Sequence, residues 1–151
     1  MENLPYQLAE IEISYKPKCK AAERPQIDSS QKAYQILVIS WDLNKIELIE
    51  EFKILLLNRR NRVLGVVNIS QGGIAGTIAD PKIIFAVALK ACASGIILSH
   101  SHPSGELGPS DADIRLIKQL VTVGRLLDIN VFDHIIVCAD GFYSFLNEGL
   151  I

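Results

Sequence analysis

The stretch GIILS, Gly95 to Ser99, is an apolar run that leads without a break into His100-Ser101-His102-Pro103. An apolar run of this length reads as a buried strand. The flanking sequence supplies helices. Upstream, Asp80 is a good N-cap and Pro81 suits the first helical position. Ile83, Ile84, Val87, Ala88 and Ala91 then recur at helical spacing, and Gly95 is placed to end that helix. Downstream, Ser110 opens a second helix with Ile114, Ile117, Leu120 and Val121 on one face.

The remaining segments extend this alternation. Ser29 or Ser30 can cap a helix running to about Ile39. FKILLL and VLGVV read as two strands joined by a polar turn at Asn58–Asn61. SQGGIAGTIA is too glycine-rich for a helix and suits a bend or a bulged strand. INVFDHIIVCADGFYSFL closes the chain as two strands around an Asp-Gly turn. Strands alternating with helices predict an α/β layered domain, and the hairpins predict a mixed sheet. No internal repeat is visible, and 151 residues suit one domain. Residues 1–29 differ in texture. EIEIS alternates like a short strand, and YKPKCKAAERPQIDSS is basic, proline-bearing and irregular. Residues 1–29 are therefore expected to form an arm, laid on the domain or partly mobile, and residues 30–151 the domain itself.

Composition excludes several classes. Apolar residues make up 49% and charged residues 21%, enough to build a core and unlike a disordered chain. A net charge of −2 argues against a protein whose main task is gripping a phosphate backbone. Cys19, Cys92 and Cys138 are odd in number and far apart, so no disulfide framework is expected and a reducing cytoplasm fits. Cys92 and Cys138 read as small buried hydrophobes. The first residues lack a signal-peptide pattern, and no apolar run is long enough to span a bilayer, so no membrane partner is expected.

The two histidines explain the end of the buried strand. Alternation puts His100 and His102 on one face, roughly 6.5–7 Å apart along the backbone. Pro103 biases His102 towards an extended conformation and stops the strand. Asp113, in the first turn of the following helix, can supply a third ligand. Two imidazole nitrogens and a carboxylate oxygen, with a fourth position open, form the ligand set of a hydrolytic zinc site. Ser110 and Asp113 also fit a helix-capping pair, which accounts for both of them but not for the histidines.

HSHPSGELGPSDAD resembles the JAMM metalloprotease motif, with Ser110 and Asp113 at its spacing after His102. Beyond the motif, DPKIIFAVALKA and DHIIV…GFYSF resemble the bacterial RadC family of JAB domains over about residues 30–151. Ser101 stands between the histidines where that family typically has Asn. The resemblance implies a cytidine-deaminase-like three-layer α/β/α fold of the JAB/MPN type. It implies one Zn2+ held by His100, His102 and Asp113. It also implies a glutamate general base from an early strand, and the family's Glu-x-Phe pattern selects Glu50 over Glu47 and Glu51. The pleat puts Glu50 and Glu51 on opposite faces, so only one can point at the metal. By the same resemblance the Ser110 hydroxyl stabilises the oxyanion. Glu106, on the loop, is a poorer base. His134 matches a recurring Asp-His of the family and reads as a structural histidine or one that orients a ligand. Longer members carry an N-terminal helix-hairpin-helix segment that is not seen here, which weakens an inherited DNA reading.

These features predict a zinc-dependent peptidase or isopeptidase acting on a protein or peptide. A DNA-repair-associated role, for which the NRRNR turn at Asn58–Arg62 offers a small basic patch, and a non-catalytic interaction module are the alternatives. Oligomeric state is not specified by any of these residues. A zinc nucleobase deaminase needs H-x-E and P-C-x-x-C, which the chain lacks. A TIM-barrel amidohydrolase needs about 250 residues.

Overall fold

Ser29 is extended and its hydroxyl accepts the Lys32 N–H, so α1 (Ser30–Ile39) begins at a capped end. The structure is a computed structural model that describes residues 8, 9, 12, 16–73 and 77–151. The apolar runs FKILLL and GIILS become β1 (Glu51–Leu57) and β3 (Gly95–Ser101), and every residue of both is buried. The other strands are β2 (Val63–Gln71), β4 (Asn130–Cys138) and β5 (Gly141–Ser144). The other α-helices among the described residues are α2 (Pro81–Lys90), capped by Asp80, and α3 (Asp111–Leu126), capped by Ser110.

The sheet runs in the order β2-β1-β3-β4-β5. β1 is antiparallel to β2 and to β3, β3 is parallel to β4, and β4 is antiparallel to β5. The sheet is thus mixed, with α3 as the crossover between the two parallel strands.

Strand parity sorts the two cores. Ala33, Leu37 and Trp41 of α1 and its end pack on Leu55, Leu57, Ile97, Ile135 and Val137. Ile84, Phe85 and Ala88 of α2 and Ile117 and Leu120 of α3 pack on Ile54, Leu56, Ile96, Leu98 and Ile136. Helices therefore cover both faces, and the fold is the α/β/α sandwich of the JAB/MPN type. Lys53, buried in β1 on the α1 face, donates to the Ser40 carbonyl at 2.8 Å and lies 4.8 Å from the Trp41 ring centroid. Its charge thereby meets the carbonyl end of α1, where a cation is favourable.

Two local expectations are corrected. Gly95 does not end α2, which stops at Lys90 with Ala91 as C-cap, and it is Cys92 that takes a left-handed φ of 53°. Gly95 instead opens β3, where a Cβ would collide with the Phe132 ring. Cys92 is exposed in that turn rather than buried, whereas Cys138 is buried as expected.

The strand expected over EIEIS lies, except for Glu12, outside the described residues, as do 74–76 of the glycine-rich stretch. Further on, the chain runs along the β1–β2 turn. Ile27 N–H donates to Asn61 O at 2.8 Å and Val63 N–H to Pro25 O at 2.9 Å. Arg62, from the basic NRRNR turn, donates to the Arg24 carbonyl at 2.7 Å. No helix among the described residues is long and apolar enough to cross a membrane.

Candidate metal centre

The register of the sheet brings the chemistry together. Phe52 of β1 pairs with His100 of β3, so both stand on the face covered by α2 and α3. Glu50, two residues before Phe52, is directed to the same face. Its backbone is tied to the end of β2 through Glu50 N–H to Gly73 O at 3.2 Å and Gly72 N–H to Glu50 O at 2.8 Å. Glu51 falls on the opposite face and is buried 3.9 Å from Lys53 Nζ. Glu47 is exposed before β1.

β3 ends at Ser101, but His102 N–H still donates to Val137 O at 3.0 Å, so His102 continues on the sheet's own path. A turn then closes through Gly105, whose φ is +83° and whose N–H donates to His102 O. This turn brings the Glu106 carbonyl to 2.6 Å from His102 Nδ1. A carbonyl can only accept, so Nδ1 carries a proton and a neutral His102 presents its Nε2 lone pair to the site. Glu106 thus acts through its backbone. Its side chain is exposed.

Ser110 and Asp113 form a reciprocal capping box at the start of α3. Asp113 N–H donates to Ser110 Oγ at 3.1 Å, and Ser110 N–H to Asp113 Oδ2 at 2.8 Å. The capping bond orients the carboxylate rather than consuming it. Asp113 Oδ1 lies 3.5 Å from His100 Nε2, and Oδ2 lies 3.7 Å from His102 Nε2. The two Nε2 atoms are 2.8 Å apart, and one ligand atom from each of the three residues falls within 4.8 Å of the others.

Nitrogen and carboxylate atoms converging in this way could hold a cation among them. Two imidazoles and one carboxylate are a donor set that suits a zinc ion bound at about 2.0–2.2 Å. A groove lined by Glu50, His102, Pro103, Ser104, Glu106 and Ser110 opens beside these ligands and leaves room for a fourth, non-protein partner.

The fields in the site arise from this packing. Burial raises the Glu50 pKa, as does the Asp113 charge, against the opposing pull of His100 and His102. Burial alone would also raise Asp113, but the adjacent His100 and His102 rings outweigh it and hold the carboxyl well below the usual range. The adjacent Asp113 carboxylate raises His102 in spite of its burial.

Two features were beyond the reach of spacing. His134, fully buried in β4, puts Nε2 2.5 Å from His100 Nδ1. Its neighbour Asp133 is buried on the opposite face and accepts from Ser30 and Ser144 hydroxyls at 2.7 Å each and from the backbone of His134 and Leu146. The Asp-His pair was visible in the sequence. Its partners, drawn from α1, β5 and β3, were not.

Known proteins share this chain's pattern. A RadC-like JAB domain matches residues 27–150. A UPF0758 protein of Flavobacterium johnsoniae is 46% identical over 101 residues, 67% of this chain and 44% of that protein. Another, from Porphyromonas gingivalis, is 37% identical over 146 residues, 95% of this chain and 63% of that protein. The chain thus spans about half the length of these curated relatives.

Proposed function

This chain belongs to the RadC-like JAB domain family, and from that footing we propose that it is a zinc-dependent hydrolase that attacks an amide bond, peptide or isopeptide, with an activated water. The observation that carries this reading is the convergence of His100 Nε2, His102 Nε2 and the Asp113 carboxylate beside a groove lined by Glu50 and Ser110.

When bound, zinc would supply Lewis acidity and lower the pKa of a water towards about 7. His100, His102 and Asp113 would be its ligands. Glu50 takes a proton from the attacking water and passes it to the leaving amine. Its raised pKa suits this shuttling, because a carboxylate closer to neutrality is a stronger base and, once protonated, still a competent acid. Ser110 accepts the Asp113 N–H through its oxygen and keeps its own hydrogen free to donate to the oxyanion that develops on the carbonyl. A substrate chain would enter by the open groove beside Pro103 and Pro109.

A DNA-directed reading draws little support from a net charge of −2 and from a basic turn whose Arg62 is engaged with backbone carbonyls. The test is cleavage of a peptide and isopeptide library by the zinc-loaded protein, with Glu50→Gln as control. Cleavage by the wild type alone is expected, and equal cleavage by both would overturn the assignment.

A further inference from the structure

The proposed hydrolysis gives no task to His134, although among the described residues its side chain is the one that meets the inner nitrogen of His100. Its ring lies between Phe52 and Phe145, at centroid distances of 5.7 and 4.9 Å. Its backbone is fixed by His134 N–H to Asp133 Oδ1 at 2.8 Å and by Phe145 N–H to His134 O at 3.0 Å. The ring therefore has a set position, with Nε2 directed at His100 Nδ1.

The contact of 2.5 Å between these nitrogens must hold one proton. There are two ways to place it. If His134 Nε2 carries it, His100 Nδ1 accepts, and a neutral His100 bears its own proton on Nε2, facing His102. No lone pair is then left for a cation. If His100 Nδ1 carries it, His100 Nε2 becomes a lone pair aimed at Asp113 and His102. His134 then holds its proton on Nδ1, an atom that is buried with no hydrogen-bond partner among the described residues. His102 needs no such help, because the Glu106 carbonyl already fixes its tautomer.

We propose that His134 is a positioning residue for the metal: its Nε2 accepts the His100 Nδ1 proton and so holds His100 in the one neutral tautomer that can ligate. The orphaned Nδ1 of His134 is the structural cost of that arrangement. Ligand histidines usually hand their second N–H to a carboxylate or carbonyl, and here a buried imidazole takes that place. The inference rests on the zinc reading and goes beyond it.

The experiment compares zinc affinity, by competition with a chromophoric chelator, in wild type, His134→Leu and His134→Gln. A Gln side chain can offer its carbonyl oxygen where Nε2 stood, and Leu cannot. Zinc binding is expected to weaken by about 10–100-fold in the Leu variant and to be largely recovered in the Gln variant, with thermal unfolding of both remaining cooperative. In parallel, nitrogen NMR of histidine-labelled, zinc-loaded wild type is expected to show His134 protonated on Nδ1 and bare on Nε2. Zinc binding by the Leu variant as tight as wild type, no recovery with Gln, or a proton on His134 Nε2 would each overturn the inference while leaving the zinc site intact. A wild type that binds no zinc would overturn the zinc reading, and this inference with it.

Discussion

The backbone N–H of Glu51 donates to the hydroxyl of Ser101 at 3.0 Å. This bond ties the start of β1 to the end of β3 just where the proposed metal ligands begin. It fixes the pleat so that Glu51 faces α1 and Lys53, and Glu50, one residue earlier, faces the groove. Two adjacent carboxylates are thereby given unlike surroundings, and only one of them can reach a substrate.

Glu50→Gln should keep zinc and lose turnover by about 10²–10⁴-fold, the range expected when a general base is removed. Glu51→Gln should leave turnover nearly unchanged and lower the unfolding midpoint instead, since it removes a buried partner of Lys53. Steady-state cleavage, metal content and thermal unfolding of both variants check this. Loss of turnover in Glu51→Gln alone would reverse the assignment.

Ser110→Ala removes two things at once. The cap of α3 is lost, at about 1 kcal/mol, which is a fall in Tm of about 2–4 °C for a domain of this size. The oxyanion donor is also lost, at about 10²–10³-fold in kcat. Zinc should stay bound, because Ser110 is not a ligand. A variant with the small Tm shift and unchanged kcat would leave Ser110 as a helix cap only.

The zinc-free site should be stable in a bounded pH window. Asp113 is depressed in the folded state, so its contribution is present above its unfolded pKa, about 3.9, and is lost as pH falls towards its folded value. His102 is raised, so its contribution is complete below its unfolded pKa, about 6.5, and is lost as pH rises through its folded value. Both are present together between about pH 4 and about pH 6.5. Zinc demands deprotonated imidazoles, so its stabilisation grows as the alkaline limb falls. Unfolding scans with EDTA and with zinc should therefore diverge as pH rises from about 5 to about 8, and Asp113→Ala should flatten the EDTA profile. A zinc effect independent of pH would contradict the ligand set.

The sequence carried the fold wherever residue chemistry is local. Asp80-Pro81 and Ser110 announce helix starts, and the apolar runs at β1 and β3 announce strands. The site trio was equally legible, because strand alternation and a helix start dictate where His100, His102 and Asp113 project. What was hidden depends on neighbours distant in the chain. Gly95 read as a helix stop, but its small size is required by Phe132 on the adjoining strand. Cys92 read as buried, but the backbone turns there through a left-handed residue and exposes it. Ser101 showed in the sequence only as a departure from the family's Asn, yet its hydroxyl holds the start of β1. The link from His134 to His100 comes from the parallel pairing of β3 with β4, which periodicity does not specify.

Metal analysis of the purified protein tests the central claim most directly. Wild type exposed to zinc and then freed of loosely held metal should retain about one zinc per chain, as a single three-residue site requires. His102→Ala and Asp113→Ala should each lose it while remaining folded. Wild type without zinc after that treatment, or variants that hold it as tightly as wild type, would contradict the account.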